Sequence, residues 1–112
     1  MKKIEAIIRP EGIDAVRSAL SLAGVTGLMI SEVEGHGKQK GVVQQWRGEK
    51  YKVELLPKAK IEVIAKDKDV ERISKAIIES ARTGEIGDGK IFIYPVDEAI
   101  RIRTGEKGES VI

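Results

Sequence analysis

The 112-residue chain has no cysteine, no asparagine and a single histidine, His36. Without cysteine there is no disulfide framework, no thiol nucleophile and no cysteine-ligated metal. One histidine also excludes a multi-histidine zinc site. His36 stands between Gly35 and Gly37 with no acidic partner beside it, which reads as a solvated loop residue rather than a general base. No Ser/His/Asp set and no paired-carboxylate arrangement stands out, so the expectation is a protein that is not an enzyme. Long apolar runs are missing too: none approaches the ~20 residues of a membrane span. The segment Met1–Pro10 carries Glu5 and Arg9 where a signal peptide needs an apolar stretch. A cytoplasmic chain without direct membrane insertion is expected. Nor is there an excess of one charge sign. Lys and Arg number 20 against 18 Asp and Glu, a net +2, so any affinity for anions must be local rather than a whole-chain property. The shortage of Asn and Gln beside abundant Lys and Glu is a weak compositional pointer to a thermophilic source.

What remains is 41% hydrophobic and 34% charged, enough apolar material for one modest core and one domain, residues 1–112. No internal repeat or low-complexity segment interrupts it. Ile4, Ala6 and Ile8 alternate with Lys3, Glu5 and Ile7 as a strand closed by Pro10. Ile13, Val16 and Leu20 recur at helical spacing up to Gly24. Leu28–Val33 reads as a second strand and Lys60–Ala65 as a third. A second helix follows, with Asp67 or Asp69 as its cap and Val70, Ile73, Ile77 and Ala81 inward. Ile91–Val96 is a fourth strand. The order βαββαβ predicts an α+β, ferredoxin-like sandwich: an antiparallel sheet with two helices on one face and a long loop between strands 2 and 3. Ile7, Met29, Ile64 and Phe92 fall on the other face, and such an apolar face wants a ligand, a partner or another copy, so an oligomer is expected.

Three segments favour anions. In Thr83–Phe92, Gly84-x4-Gly89-Lys90 imitates the start of a P-loop. Ile91 replaces the Mg²⁺-binding hydroxyl, however, and the segment leads from a helix into a strand. Gly87 and Gly89 can still turn backbone N–H groups onto an anion beside Lys90; the plain alternative is a glycine-rich turn with a solvated lysine. Gly35–Gly41 is a second glycine-rich basic run, too long by one residue for a dinucleotide fingerprint. The third is Arg101–Glu106, where alternation along an extended segment puts Arg101 and Arg103 on one side; the plain alternative is a charged, exposed edge. Residues 37–55 exceed the usual loop length and mix Lys38, Lys40, Arg47, Lys50 and Lys52 with Trp46 and Tyr51. They read either as a hairpin, Val42–Trp46 against Tyr51–Leu55 about Arg47-Gly48, or as a basic aromatic surface for single-stranded RNA.

The motifs Thr83-Gly84-x-x-Gly87-Asp88-Gly89-Lys90-Ile91-Phe92 and Arg101-Ile102-Arg103-Thr104-Gly105-Glu106 resemble the C-terminal half of the PII nitrogen-regulatory signal-transduction proteins. Met1–Ile4 with Arg9-Pro10, Glu32–Gly41 and Leu56-Pro57-Lys58 are similar to theirs as well, so the likeness spans the chain. The resemblance implies a homotrimer of ferredoxin-like subunits with ATP or ADP in each cleft between neighbours. It implies that Gly87, Asp88, Gly89 and Lys90, in a phosphate-binding loop at about 82–90, cradle phosphates. Arg101 and Arg103, in a C-terminal loop at about 101–106, would reach them from the next subunit. Gly35, Gly37 and Lys38 would complete that wall, with Met29, Glu62 and Ile64 near the adenine and ribose. The long segment at about 37–55 corresponds to the family's partner-contacting T-loop. At its base the resemblance places Mg²⁺ and 2-oxoglutarate: Gln39 as metal ligand, Gln39, Gly41 and Lys58 about the keto acid. Tyr51 occupies the family's uridylylation position and Arg47 that of an arginine contacting ammonium transporters; nitrogen-assimilation enzymes are the other implied partners.

This chain departs from many relatives in having Lys38 for Arg, without the guanidinium fork, and Met29 for Thr, without the hydroxyl. Trp46 stands where Tyr is usual. Glu49 stands where many have Ser or Ala, which excludes serine phosphorylation there. The implied function is a nitrogen, carbon and energy sensor. The alternatives are a ferredoxin-like single-stranded RNA-binding module and, less in keeping with the absence of a nucleophile, a small phosphotransferase.

Overall fold

The computed structural model describes the backbone of residues 1–36, 44–46, 49–51 and 55–112, and the side chains of residues 1–35 and 56–112. Six strands and two helices follow in chain order: β1 Lys2–Ile8, α1 Ile13–Leu22, β2 Met29–His36, β3 Gln44–Trp46, β4 Glu49–Tyr51, β5 Leu55–Ala65, α2 Val70–Ala81 and β6 Lys90–Pro95. The main sheet has the order β2-β5-β1-β6, antiparallel throughout, which is the ferredoxin-like α+β arrangement.

Register and periodicity together make the core. Ile4 pairs with Val63, Ala6 with Ile61 and Ile8 with Ala59, so the buried side chains of β1 and β5 share one face. Val16 and Leu20 of α1, and Ile73 and Ile77 of α2, close over that face and are 0–3% exposed. Ile13, Val25, Leu28, Ile30, Val70, Ala81 and Ile91 pack around its margin.

Each helix is entered through a short 3₁₀ turn, Pro10–Gly12 and Asp67–Asp69. Pro10 suits that position because its missing N–H would have no partner there. The expected side-chain cap at α2 is not formed: Asp69 occupies the cap position, but its carboxylate accepts from Arg72 Nη1 at 2.8 Å instead. At the end of α1, Gly24 takes φ 87° and Val25 N–H returns to the carbonyl of Leu20 at 2.9 Å. That closure needs a left-handed residue, and glycine adopts it without a Cβ penalty.

β2 and β5 are longer than their hydrophobic alternation indicates, running on through Gly35↔Leu56 and His36↔Leu55. Pro57 lies inside β5 opposite Glu34, and it is tolerated because β1 ends at Ile8↔Ala59. Beyond that pair only β2 flanks β5, and a residue without an N–H leaves no ladder bond unmade on the free side. Between β2 and β5, β3 and β4 form a separate two-stranded sheet with the pairs Gln44↔Tyr51, Gln45↔Lys50 and Trp46↔Glu49. Two paired arms therefore exist as expected, but the second starts at Glu49, two residues before the expected Tyr51; Arg47, Gly48 and residues 52–54 lie outside the described residues.

If this one core carries the fold, Ile61→Ala will lower unfolding free energy by about 2–5 kcal/mol, whereas Leu22→Ala, at a side chain 91% exposed, will change it by less than about 0.5 kcal/mol. Urea titration of the two variants checks the contrast.

Candidate functional site

The loop between α2 and β6 is organised by one carboxylate. Asp88 Oδ2 accepts from the backbone N–H groups of Thr83 and Gly84, both at 2.9 Å, and Oδ1 accepts from the Thr83 hydroxyl at 2.5 Å. Arg9 Nε lies 3.4 Å from Oδ1, and Arg9 Nη2 donates to the carbonyl of Ile86 at 2.8 Å. The Thr83 hydroxyl, then the two backbone donors, and lastly Arg9 hold the Asp88 carboxyl well below the usual carboxylate range, against the opposing effect of desolvation. Asp88 thus faces into its own loop. Among the described residues, the N–H groups of Gly87 and Asp88 donate no hydrogen bond. Successive free N–H groups in a turn form an anion-binding concavity.

Gly87 and Gly89 both take φ 102°. At Gly89 a second constraint applies, because a Cβ there would stand 1.7 Å from the carbonyl oxygen of Ile7. The loop therefore enters β6 pressed against the end of β1. That placement gathers cations. Lys58 Nζ donates to the carbonyl of Gly87 at 2.9 Å. Lys60 and Lys90 both pair with Ile7, one from each side, so all three project from the face that the helices do not cover. Gly35 on β2 sits against the stem of Lys58, with a built Cβ 3.4 Å from Cγ. Arg9 and Lys58 hold the loop, Lys90 follows it directly, and Asp88 is already engaged, while Glu85 is the loop's exposed carboxylate; the three cations and the free N–H groups fit an anion. Among the described residues, no group of three or more His, Asp or Glu could hold a metal ion by itself.

The remaining expected residues are distributed. Gly87, Asp88, Gly89, Lys90, Lys58 and Gly35 come together at the loop end of the sheet. Met29, Glu62 and Ile64 instead border a cleft of about 620 Å³ between the α1–β2 connection, β5 and the C-terminal Val111 and Ile112. A smaller cavity of about 300 Å³ lies under the end of α2, against Asp88, Gly89 and Lys90. Arg101 and Arg103 line neither, and no hydrogen bond joins their segment to the 82–90 loop. That segment is also not extended as expected. Arg101 N–H donates to Glu106 and Gly105 N–H donates back to Arg101, closing a tight turn with Ile100 bridged to Lys107. The Arg101 guanidinium stands 3.3 Å from Glu106. Strand alternation does not apply across a turn, so the same-side argument for Arg101 and Arg103 falls. Gly37, Lys38, Gln39, Gly41 and Arg47 lie outside the described residues, as does the side chain of Tyr51. Arg9 and Lys60 were not singled out by sequence reasoning as site residues. The signal for Lys60 was its strand phase, which places it on the same face as Ile7 and Lys90.

A small ferredoxin-like domain with a glycine-rich, cation-flanked turn at the end of an open sheet is the class that fold and site define. Comparison with known proteins sharpens it. The family model described as nitrogen regulatory protein P-II matches residues 1–106. The chain is 56% identical to a nitrogen regulatory protein P-II of Cereibacter sphaeroides, over 100% of both chains. It is 54% identical to that of Haemophilus influenzae, also over 100% of both, and 51% identical to nitrogen regulatory protein P-II 2 of Methanothermobacter thermautotrophicus, over 100% of this chain and 97% of the relative. The chain belongs to the nitrogen regulatory protein P-II family, a family of regulatory signalling proteins, and its role is nitrogen signal transduction. No helix among the described residues is long and apolar enough to cross a membrane.

Two outcomes follow from the loop. Gly89→Ala forces backbone against backbone and will abolish cooperative folding or lower Tm steeply. Gly84→Ala, at φ 89° with nothing within 4 Å, adds only left-handed strain of about 1–2 kcal/mol. Thermal unfolding of the pair distinguishes them. The second concerns acid. A depressed folded-state pKa contributes stability that is present above the unfolded value, 3.8, and is lost as pH falls below it towards the folded value. Amide resonances of Thr83 and Gly84 will hold their positions from pH 7 to about 4 and move only in stronger acid; Asp88→Ala will shift them at every pH.

Proposed function

We propose that the chain is a cytoplasmic sensor that binds ATP or ADP competitively and, with ATP and Mg²⁺, 2-oxoglutarate, and that it signals through the segment at about 37–55. Gly87, Asp88, Gly89 and Lys90 would hold the phosphates, and Gly35, Gly37 and Lys38 would border them. Arg101 and Arg103 would come from a neighbouring copy in a homotrimer. Met29, Glu62 and Ile64 would lie near the adenine and ribose. Gln39 would ligate Mg²⁺, with Gln39, Gly41 and Lys58 around the keto acid. Mg²⁺, when bound, would supply the positive charge that neutralises phosphate and keto-acid oxygens, with Gln39 as its protein ligand. Targets would be an ammonium transporter, through Arg47, or nitrogen-assimilation enzymes, with Tyr51 open to uridylylation.

The observation that carries the reading is the turn itself. Its Asp88 carboxylate is directed inward, Gly87 and Asp88 offer free N–H groups, and Arg9, Lys58 and Lys90 stand beside it. The separation of that turn from Met29, Glu62 and Ile64, and from the Arg101–Arg103 turn, supports a site assembled from more than one copy. Lys58 is engaged by Gly87, so an acidic ligand would have to exchange with that carbonyl; the ammonium moves between two acceptors without being left bare.

Calorimetry with ATP, ADP and a short RNA tests it. Nucleotide binding at sub-millimolar concentration without RNA binding is expected; RNA binding alone would replace this reading with the RNA-module alternative. Lys90→Ala and Arg103→Ala will each weaken ATP by about 1.5–3 kcal/mol, the loss of one charge-assisted hydrogen bond. 2-Oxoglutarate will bind only with ATP and Mg²⁺, not with ADP, and will tighten ATP by the factor by which ATP tightens it.

A further inference from the structure

The uncovered face of the sheet carries charged side chains as well as apolar ones. Across all four strands the pairings Met29↔Glu62, Glu62↔Glu5 and Glu5↔Phe92 set two carboxylates side by side at the centre of one row, with an apolar side chain at each end. Like charges directly opposite one another repel. A single cation counters them: Lys3 Nζ lies 3.5 Å from Glu5 Oε2 and 3.6 Å from Glu62 Oε2, and 4.7 Å from the centroid of the Tyr94 ring. These three charged side chains are already largely withdrawn from water, at 31%, 16% and 22% exposure, while Met29, Phe92 and Tyr94 around them are 65%, 45% and 41% exposed. A solvated surface pair shows the opposite pattern, with charges outward and apolar groups covered.

We propose that Lys3 is the residue that allows this face to be covered by other copies of the same chain, by clamping Glu5 and Glu62 into a cluster that can leave water. The proposal rests on the oligomer in the functional reading above and names what holds it together. The partner is argued from charge. The Lys3–Glu5–Glu62 cluster keeps one net negative charge. The adjacent row of the same face, Ser31–Lys60–Ile7–Lys90, is basic. A face carrying an acidic row beside a basic row is its own complement, whereas a partner of one charge sign would match one row and oppose the other. Without Lys3, docking would bury two adjacent unpaired carboxylates, which is strongly unfavourable. Removing the carboxylates as well would remove the penalty. Lys3 is therefore a positioning residue for assembly; it contributes little to the stability of a single chain, because its cluster is still reached by solvent.

Native mass spectrometry and sedimentation equilibrium of the full chain, with circular dichroism to confirm folding, test this. Lys3→Met will raise the midpoint concentration for assembly by at least about tenfold with an unchanged spectrum. Lys3→Met/Glu5→Gln/Glu62→Gln will restore it to within about threefold of the natural chain, a rescue that lost packing of the lysine stem would not give. Phe92→Lys, on the same face, will also block assembly. Unaltered assembly of Lys3→Met, or failure of the triple variant to recover while Phe92→Lys blocks assembly, overturns the role of Lys3. A natural chain that stays monomeric at every concentration, or a Phe92→Lys variant that assembles normally, overturns the oligomer on this face itself, so the two readings fail separately.

Discussion

The approach of Gly89 to the carbonyl of Ile7 is the constraint on which the rest depends. It admits no side chain, and it fixes the end of the 82–90 loop against the last residues of the central strand. From that one contact follow Lys90 opposite Ile7, Arg9 within reach of Asp88 and Ile86, and Lys58 within reach of Gly87. Asp88 then uses its acceptor capacity inside the loop, and the turn is left with free N–H groups and cations beside it. A charged carboxylate with several donors is a rigid anchor, because each hydrogen bond also favours the charged form. The loop is shaped before any ligand arrives, which lowers the ordering entropy a ligand must offset.

The two faces of the sheet answer to different physics. The helix-covered face is filled by Ile, Val, Leu and Ala side chains in one contiguous cluster and sets stability. The open face mixes rows of apolar, acidic and basic residues at strand spacing. It is too charged for a core and too apolar for a bare surface. A regulator gains from such a division. Stability resides on the covered face, and the turn proposed to accept anions and the face proposed to assemble lie away from it.

Most of the architecture was legible in the sequence because it is carried by short-range periodicity. Ile4, Ala6 and Ile8, the Val16–Leu20 spacing and the Ile73–Ile77 spacing each report burial directly, and Gly24 marks a helix end by the one conformation it permits. The ends of β2 and β5 were hidden, since Gly35, Leu56 and Pro57 break alternation while still pairing across strands. The glycine turn at 84–90 was visible as a motif, but the inward role of Asp88 was not. That role depends on a turn that brings Thr83 and Gly84 back onto the carboxylate, with Arg9, 79 positions away, adding the last contact, and no periodicity encodes either. For the same reason the Glu5–Glu62 juxtaposition follows from register and no local pattern encodes it. The segment 101–106 differed from expectation because alternation was applied to Arg101 and Arg103, and the chain turns at residues 102–104 between and beside them. Family resemblance supplied what none of these signals could, namely the nitrogen-regulatory class, which the full-length matches establish.

The central claim is that the backbone of the Gly87–Asp88 turn receives an anionic nucleotide. Titrating ATP into isotopically labelled protein and following amide resonances tests it most directly. The account predicts saturable shifts that are largest at Gly87, Asp88 and Lys90, with inorganic phosphate producing the same pattern more weakly. Saturable ATP binding that leaves these three amides unmoved and shifts others would contradict it.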